Sequence, residues 1–579
     1  MKLDLEICEL QGTIVAAFGS AGFWQATFYT GSPIPASVLP GMPVSGQGIP
    51  IGAIVTAVSP SSPAPLAMTV VLTSPSHTLN NPFVVSSTSV TMHVFNRPSS
   101  SIQSVSINNK AFMLGPDRFV IRGVAVDAKG AEFLGYPDVL ADEHFEPFFG
   151  ALLPKIIALN VNCIRVYQVH PSHSHVLAMN ALANAGIYVM VALATSEFSV
   201  KQMTGDYSYE TYLHATQVLR EFQTYNNTLC VSVGNEVEFP GQQAANIAIE
   251  NPSWTSTQIV QATIALELNV ALAMKSFAQD VKAFLRANNY RAIPVGCAMQ
   301  DGPQSSWTKS NPEKNQVGII GTDTIATYYA SGDDGMDFIG INSYAYVPGG
   351  SPTSYDHLGA ECSPLSVPVF LTESGGLKAD TERDWAIVPA MYNDANVYLQ
   401  LSGQVAFQLL EEGAGFGLYV TGQGSGGEIS LTATPLGGAK KLQEQFVWAA
   451  KQSPPQVATS PTSTIATTIV NQIPPDPINW WHRSASIKVE NYTLASNNVT
   501  GLVQVLQMGV MVGTIGPAQS STTPTSQTIQ VVPGVHLTIQ AQPTTGNDWL
   551  EVCGVSASMV IAGITVKTDV QWGSPCKLD

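Results

Sequence analysis

Between residues 119 and 411 the chain carries eight apolar runs of strand length: FVIRGVAVD (119–127), NCIRVYQV (162–169), GIYVMVAL (186–193), TLCVSVGNE (228–236), IPVGCAMQD (293–301), MDFIGINSY (336–344), PVFLTESGG (368–376) and QVAFQLLE (404–411). Each is nearly continuous in its apolar character, the pattern of a strand covered on both faces. Between several of them, FEPFFGALLPKIIAL, VLAMNALANAG, YETYLHATQVLREFQTY and NVALAMKSFAQDVKAFLRAN space their apolar residues as amphipathic helices do. Alternating buried strands and helices predict an α/β fold with a parallel sheet. Eight units over residues 103–451 predict a (β/α)8 TIM barrel. No Gly-rich phosphate loop follows the first run, which argues against a doubly wound dinucleotide-binding sheet.

The flanks have a different grain. Residues 1–100 are rich in Gly, Pro, Ser, Thr and Val, with short alternating runs such as VTMHVF (90–95), and predict a small all-β module. Residues 452–478 (QSPPQVATSPTSTIATTIVNQIPPDPI) read as an extended Pro/Thr/Ser linker. From 479 to 579, SIKVE, GLVQVLQMGV and QTIQVVPGVHLTIQA predict a second β-module, sandwich-like in kind.

Composition narrows the partners. The chain is 45% hydrophobic and 12% charged, and its 25 Lys and Arg against 42 Asp and Glu leave a net charge of −17. Without clustered cations it has no footprint for nucleic acid. Neutral polymers, polysaccharides or oligosaccharides, remain as partners. No stretch reaches the ~20 uninterrupted apolar residues of a membrane span. Asp4, Glu6 and Glu9 stand where a signal peptide would need an apolar core, so an extracellular or surface-associated location requires another route of release. Cys163, Cys230 and Cys297 lie in apolar runs and read as buried free thiols, whereas Cys553 and Cys576 are candidates for a pair.

In such a barrel the chemistry sits at the C-terminal strand ends. Asp127, Arg165, Tyr167, Asn235, Glu236, Asp301, Asn342, Tyr344 and Glu373 accumulate there. Glu236 ends the fourth strand and Glu373 the seventh, which face each other across the mouth. A retaining glycosidase needs two carboxylates about 5–5.5 Å apart, one as acid/base and one as nucleophile. The plainer alternative, that each Glu pairs with a basic residue, would leave their placement at two opposed strand ends a coincidence. Arg165, Tyr167, Asn235, Asp301, Asn342 and Tyr344 are the candidate substrate contacts, with tyrosine rings offering an apolar face to a pyranose. No metal or organic cofactor is called for. His170, His173 and His175 (VHPSHSH) include a metal site among their readings, but a substrate-facing or capping role fits their loop better.

Residues Ile121 to about Lys451 resemble family 72 of the glycoside hydrolases, the β-1,3-glucanosyltransferases. The resemblance rests on FVIRGVAV, on YPDVLADEHFEPFFGALLPKIIALNVNCIRVYQVHPSHSH, and on ALANAGIYVMVAL. It continues through the helix leading into VSVGNEV, AFLRANNYRAIPVGCAMQD, DFIGINSYAY, VPVFLTESGG and LSGQVAFQLLEEGAGFGLYV, in family order. It implies Glu236 as acid/base, Glu373 as nucleophile, Asn235 as the amide that holds the sugar, and Tyr167 and Tyr344 as tyrosines lining the sugar site. The chain departs from the family in carrying Ala192 where Asp is common and Phe407 where Tyr is common, and in lacking the cysteine-rich C-terminal module. The expected function is a retaining transglycosylase or endo-hydrolase on β-1,3-glucan. The competing reading is a structural or adhesive subunit of a virion, tail fibre or surface filament, self-assembling through its β-modules and using the barrel to bind glycan.

Overall fold

The structure is a computed structural model. It describes residues 102–126, 136–238, 240–301, 322–332, 334–344, 362–363, 365–376, 382–423 and 429–455, together with the flanking strands named below and a few residues beside them. Two compact units emerge, one of Met1–Lys282 with Arg291–Pro477, the other of Ala283–Tyr290 with Ile478–Asp579.

All eight predicted runs form strands: β1 (Ile121–Val126), β2 (Cys163–Val166), β3 (Tyr188–Ala192), β4 (Thr228–Asn235), β5 (Val295–Gln300), β6 (Phe338–Asn342), β7 (Val369–Ser374) and β8 (Leu401–Ala406). They pair in parallel in sequence order and close into a barrel. The seam joins β1 to β8 with Ile121 opposite Gly403. Gly403 has φ +126°, and a Cβ there would stand 2.3 Å from the Ile121 carbonyl oxygen, so closure at this point requires glycine. The eighth strand starts and ends earlier than predicted. Beyond Ala406 the chain turns across the barrel mouth, where the Leu409 N–H donates to the Ala125 carbonyl at 2.8 Å. Leu409 and Leu410 stay apolar because this turn buries them.

Helices cover the outside: α1 (Gly150–Ala158), α2 (Val176–Asn184), α3 (Tyr209–Phe222), α4 (Pro240–Glu250), α5 (Ser256–Ala287), α6 (Thr322–Ala330), α7 (Ile387–Asn393) and α8 (Ala439–Ala449). Ser208 caps α3, accepting from the Thr211 N–H at 3.2 Å. Helix α5 begins 13 residues before the predicted stretch (269 − 256) and runs for 32 residues. By length and composition it could cross a membrane. Here Val270, Met274, Phe277 and Val281, three and four apart, are fully buried against protein.

The floor of the barrel was not foreseen. A three-stranded antiparallel sheet of Ser106–Asn108, Ala111–Leu114 and Asp117–Arg118 precedes β1. Its Phe112 is fully buried, with ring centroids 5.7 Å from Phe370 and 6.3 Å from Phe338. It joins Ile121, Cys163, Met190, Cys230 and Val405 in one core. Cys163, Cys230 and Cys297 are buried free thiols, as read from their runs. A hairpin of Tyr419–Gln423 and Ile429–Ala433 follows β8.

In the N-terminal flank, Val44–Ser45, Val90–Phe95, Glu6–Phe18, Trp24–Thr30, Ala67–Leu72 and Ile54–Val58 form one antiparallel sheet in that order. The second unit contains a four-stranded sheet (Thr525–Val531, Ala485–Asn491, Val555–Ile561, Ile564–Val566) and a three-stranded one (Val510–Ile515, Val503–Gln507, Leu537–Ala541). Cys553, Asp127 and the linker beyond residue 455 lie outside the described residues.

Phe112 is the test of the floor. Truncating a fully buried phenylalanine costs about 3–5 kcal/mol, so Phe112→Ala is expected to lower the melting temperature of the barrel transition by several degrees in calorimetry. An unchanged transition would mean the hairpin is not part of the core.

Candidate active site

The two carboxylates stand at the barrel mouth in different settings. Glu373 is the penultimate residue of β7 and is 6% exposed. Its Oε1 accepts from the Tyr167 hydroxyl at 2.8 Å and from Arg165 Nη1 at 3.1 Å, and its Oε2 accepts from the Tyr344 hydroxyl at 2.5 Å. Three donors thus hold both oxygens in place. Glu236 follows the last residue of β4 with φ +48°, a left-handed conformation that a non-glycine residue keeps only where its surroundings enforce it. Its N–H donates to the Ala298 carbonyl on β5 at 2.8 Å.

A single amide links the pair. Asn342, at the end of β6, donates from Nδ2 to Glu236 Oε1 and to Asn235 Oδ1, both at 3.0 Å. Its Oδ1 accepts from the Thr372 hydroxyl at 2.7 Å and from Arg165 at 3.3 Å. Arg165, on β2, is 2% exposed and donates further to the Thr372 carbonyl at 2.8 Å and to Asn235 Oδ1 at 2.6 Å. Its guanidinium also lies 4.3 Å from the Tyr167 ring centroid. Asn235 Oδ1 is thus taken by two donors, which leaves its Nδ2 without an acceptor among the described residues.

Charge follows this geometry. Burial, and then the nearby Glu373 carboxylate, raise the Glu236 pKa above the ordinary glutamate value, while the Asn342 hydrogen bond and Arg165 partly offset them. Burial and the same Glu373 charge raise Tyr344 far above an ordinary phenol, so it keeps its proton and remains a donor.

Seven of the eight residues expected to catalyse or to contact substrate therefore form one hydrogen-bonded network: Arg165, Tyr167, Asn235, Glu236, Asn342, Tyr344 and Glu373. Asp301 sits one step out, accepting from the Ser343 hydroxyl at 2.5 Å, while its N–H donates to the Asn342 carbonyl at 3.0 Å. Arg165, expected as a substrate contact, is turned inward on its neighbours. The sequence reading noted Phe407 only as a departure from the family, and Phe416, Arg383 and Trp385 escaped it. Phe407 meets Tyr344 and Tyr167 edge-on, with centroids at 5.9 and 6.4 Å, and Phe416 lies 5.2 Å from Tyr344. Behind them Arg383, 1% exposed, stacks 3.9 Å from the Trp385 ring centroid. It donates to the Phe416 carbonyl at 2.6 Å and to the Phe407 carbonyl at 2.5 Å. Burial lowers its pKa to about 9.

The histidine loop has another role. His175 is fully buried between two carboxylates, Nε2 to Asp138 at 2.9 Å and Nδ1 to Glu221 at 2.8 Å. Burial opposes its charge, but Glu221 and Asp138 prevail and raise its pKa well above the ordinary value. His175 therefore clamps the start of α2 to α3 as an imidazolium. Among the described residues no group of three His, Cys, Asp or Glu side chains is arranged to hold a metal ion.

The family model for glycoside hydrolase 72, described as glucanosyltransferase, matches residues 95–251 and 265–431, a span that contains all eight barrel strands. The 1,3-beta-glucanosyltransferase gas5 of Schizosaccharomyces pombe is 30% identical over 338 residues, 55% of this chain and 57% of that protein. The gas1 enzyme of the same yeast is 27% identical over 346 residues, 58% of this chain and 55% of that protein. The chain thus spans about half the length of these curated relatives. The solved structure of Saccharomyces cerevisiae Gas2p in complex with laminaripentaose is 23% identical, with a TM-score of 0.49 over 65% of this chain and 78% of that one.

The electrostatic coupling of the two carboxylates can be measured by carboxyl titration in isotope-edited infrared spectra. Glu236 is expected to titrate above the ordinary glutamate range, and Glu373→Gln to bring it part of the way down, because burial remains. The raised native pKa means the folded state binds more protons than the unfolded one between the two pKa values, so stability falls as pH rises through that window. A Glu236 pKa unmoved by Glu373→Gln would exclude the coupling.

Proposed function

The chain belongs to glycoside hydrolase family 72, the glucanosyltransferases, and from that premise we propose that it cleaves and rejoins β-1,3-glucan with retention of configuration. One observation carries the reading: Glu373, with three donors on its oxygens, and Glu236, its pKa raised, are tied to the same Asn342 and Arg165 network at the mouth of one barrel. The substrate class comes from the relatives named 1,3-beta-glucanosyltransferase.

In this mechanism Glu373 attacks the anomeric carbon as the bond to the leaving oxygen breaks, and protonated Glu236 delivers its proton to that oxygen. A covalent glycosyl–enzyme results. Glu236, now a carboxylate, takes the proton of an incoming hydroxyl, which attacks the same carbon and frees Glu373. A sugar hydroxyl gives transfer and water gives hydrolysis. Tyr167, Tyr344 and Arg165 fix the nucleophile, and Asn235 offers its free amide N–H to a hydroxyl of the attacked sugar. Phe407 and Phe416 bring the apolar surface expected beside a pyranose.

The remaining parts belong to the same proposal. Segments 1–100, 103–451, 452–478 and 479–579 are read as β-module, catalytic barrel, linker and second β-module. For the last, a sandwich is supported by Gly513 of the three-stranded sheet, where a Cβ would come 2.4 Å from Ile529 of the four-stranded sheet. An extracellular or surface-associated location follows from a polymeric glycan substrate.

Incubation with reduced laminari-oligosaccharides, read by mass, tests the reaction. The native protein is expected to yield longer and shorter chains together, and Glu373→Gln to reduce turnover by a factor on the order of 10⁴ or more. Shorter products alone would make it a hydrolase. Unchanged oligosaccharides with the folded native protein would overturn the glucan assignment.

A further inference from the structure

The end of the barrel away from the carboxylates holds a cavity of about 500 Å³, within the ~300–1,000 Å³ typical of small-molecule sites. It is lined by the floor hairpin, the N-terminal ends of β1 and β3, the turn before β2, and the chain leaving α8. Its walls mix apolar and polar surface in nearly equal measure: Tyr188, Tyr392, Phe119 and Leu114 bring apolar and aromatic faces, and Gln103 and Asn162 add amide groups. Two arginines also line it, Arg118 and Arg122.

Their partners leave charge uncompensated. Arg118 is 7% exposed, and its Nη atoms donate to the carbonyls of Pro455 (2.8 Å), Tyr398 (2.8 Å) and Leu401 (2.9 Å), but its Nε is buried without a partner. Arg122 is half-buried. Its backbone N–H donates to Asn162 Oδ1 at 2.8 Å, while its own Nε is likewise buried and unpartnered. Among the described residues neither guanidinium has an ion pair, and no Asp or Glu lines the cavity. Buried charges are ordinarily paired, because desolvation otherwise goes uncompensated. In a chain of net charge −17, two guanidiniums without a carboxylate partner among the described residues line one cavity.

We propose that this cavity is a binding site for a small oxyanion, a carboxylate or a phosphate monoester on an apolar or aromatic body. The anion would meet the outer edge of the Arg122 guanidinium, with Arg118 supplying a second positive charge and the aromatic walls covering the body. The site is independent of the glucan reading, since none of its residues belongs to the carboxylate network.

Calorimetric titration of the full chain with phenyl phosphate, benzoate and uncharged benzyl alcohol tests the site. Saturable one-to-one binding of at least one anion is expected, weakened at least tenfold by Arg122→Gln and kept within about threefold by Arg122→Lys, and the preferred anion identifies the head group. The Arg122 side chain makes no hydrogen bond among the described residues, so its replacement should leave the fold intact, which circular dichroism checks. A second readout needs no variant: the bound anion should protect Arg122 from phenylglyoxal, followed by mass spectrometry. No saturable binding of either anion, equal binding by Arg122→Gln, or benzyl alcohol binding as tightly as the anions would overturn the proposal.

Discussion

The barrel mouth is organised by one buried cation. Arg165 reaches from β2 to Asn235 beyond β4's buried run, to Asn342 on β6 and to Thr372 and Glu373 on β7. A guanidinium taken out of water is tolerated only where its donors are satisfied. Those acceptors therefore have to sit where they do. The planar fork suits this task, because it imposes directions on its partners as well as neutralising them. Moving any of these strand ends would leave both a cation and its acceptors unsatisfied in a region of low dielectric.

Around this centre the two ends of the barrel are built on different principles. The floor is a packing problem, met by Phe112 wedged among Phe338, Phe370 and the small side chains Ala125 and Cys163. The mouth is a problem of polar satisfaction, and its solution extends outward. Arg383 gathers carbonyls from the chain after β8, and its stack on Trp385 completes a second buried cation behind the aromatic residues. His175 does the same between Asp138 and Glu221 at the flank. In a chain with only 12% charged residues, several cations serve to fasten loops to the barrel.

The barrel was legible because each of its strands is covered on both faces and so reads as an unbroken apolar run. Asn235 and Glu236 were legible because polar residues ending such a run break the pattern at a defined place. The floor hairpin was not: strands of three, four and two residues are too short to show a period. Arg383 and Trp385 lie in the polar stretch TERDWA, where an arginine reads as solvent-exposed, and only the return of the chain after β8 buries it. The orientation of Arg165 was equally hidden. A strand-end arginine can face a ligand or its neighbours, and the choice is made by Asn342 and Thr372, which are remote in sequence. The early start of α5 had no clean signal either, since residues 256–262 are mostly exposed and carry no apolar stripe.

The shared Asn342 and Arg165 network has a consequence for the proposed reaction as a whole. Before attack, the pair of glutamates holds one proton and one negative charge. In the glycosyl–enzyme, Glu373 is a neutral ester and Glu236 has given its proton away, so the pair again holds one negative charge. The total never changes; only its location moves, from one side of Asn342 to the other. Arg165 is accordingly neutralised at every stage, and the protein need not admit or expel a counterion during the cycle. A fixed cation and a travelling anion make the mouth a closed electrostatic circuit, in which the sugar is the only component that has to come and go.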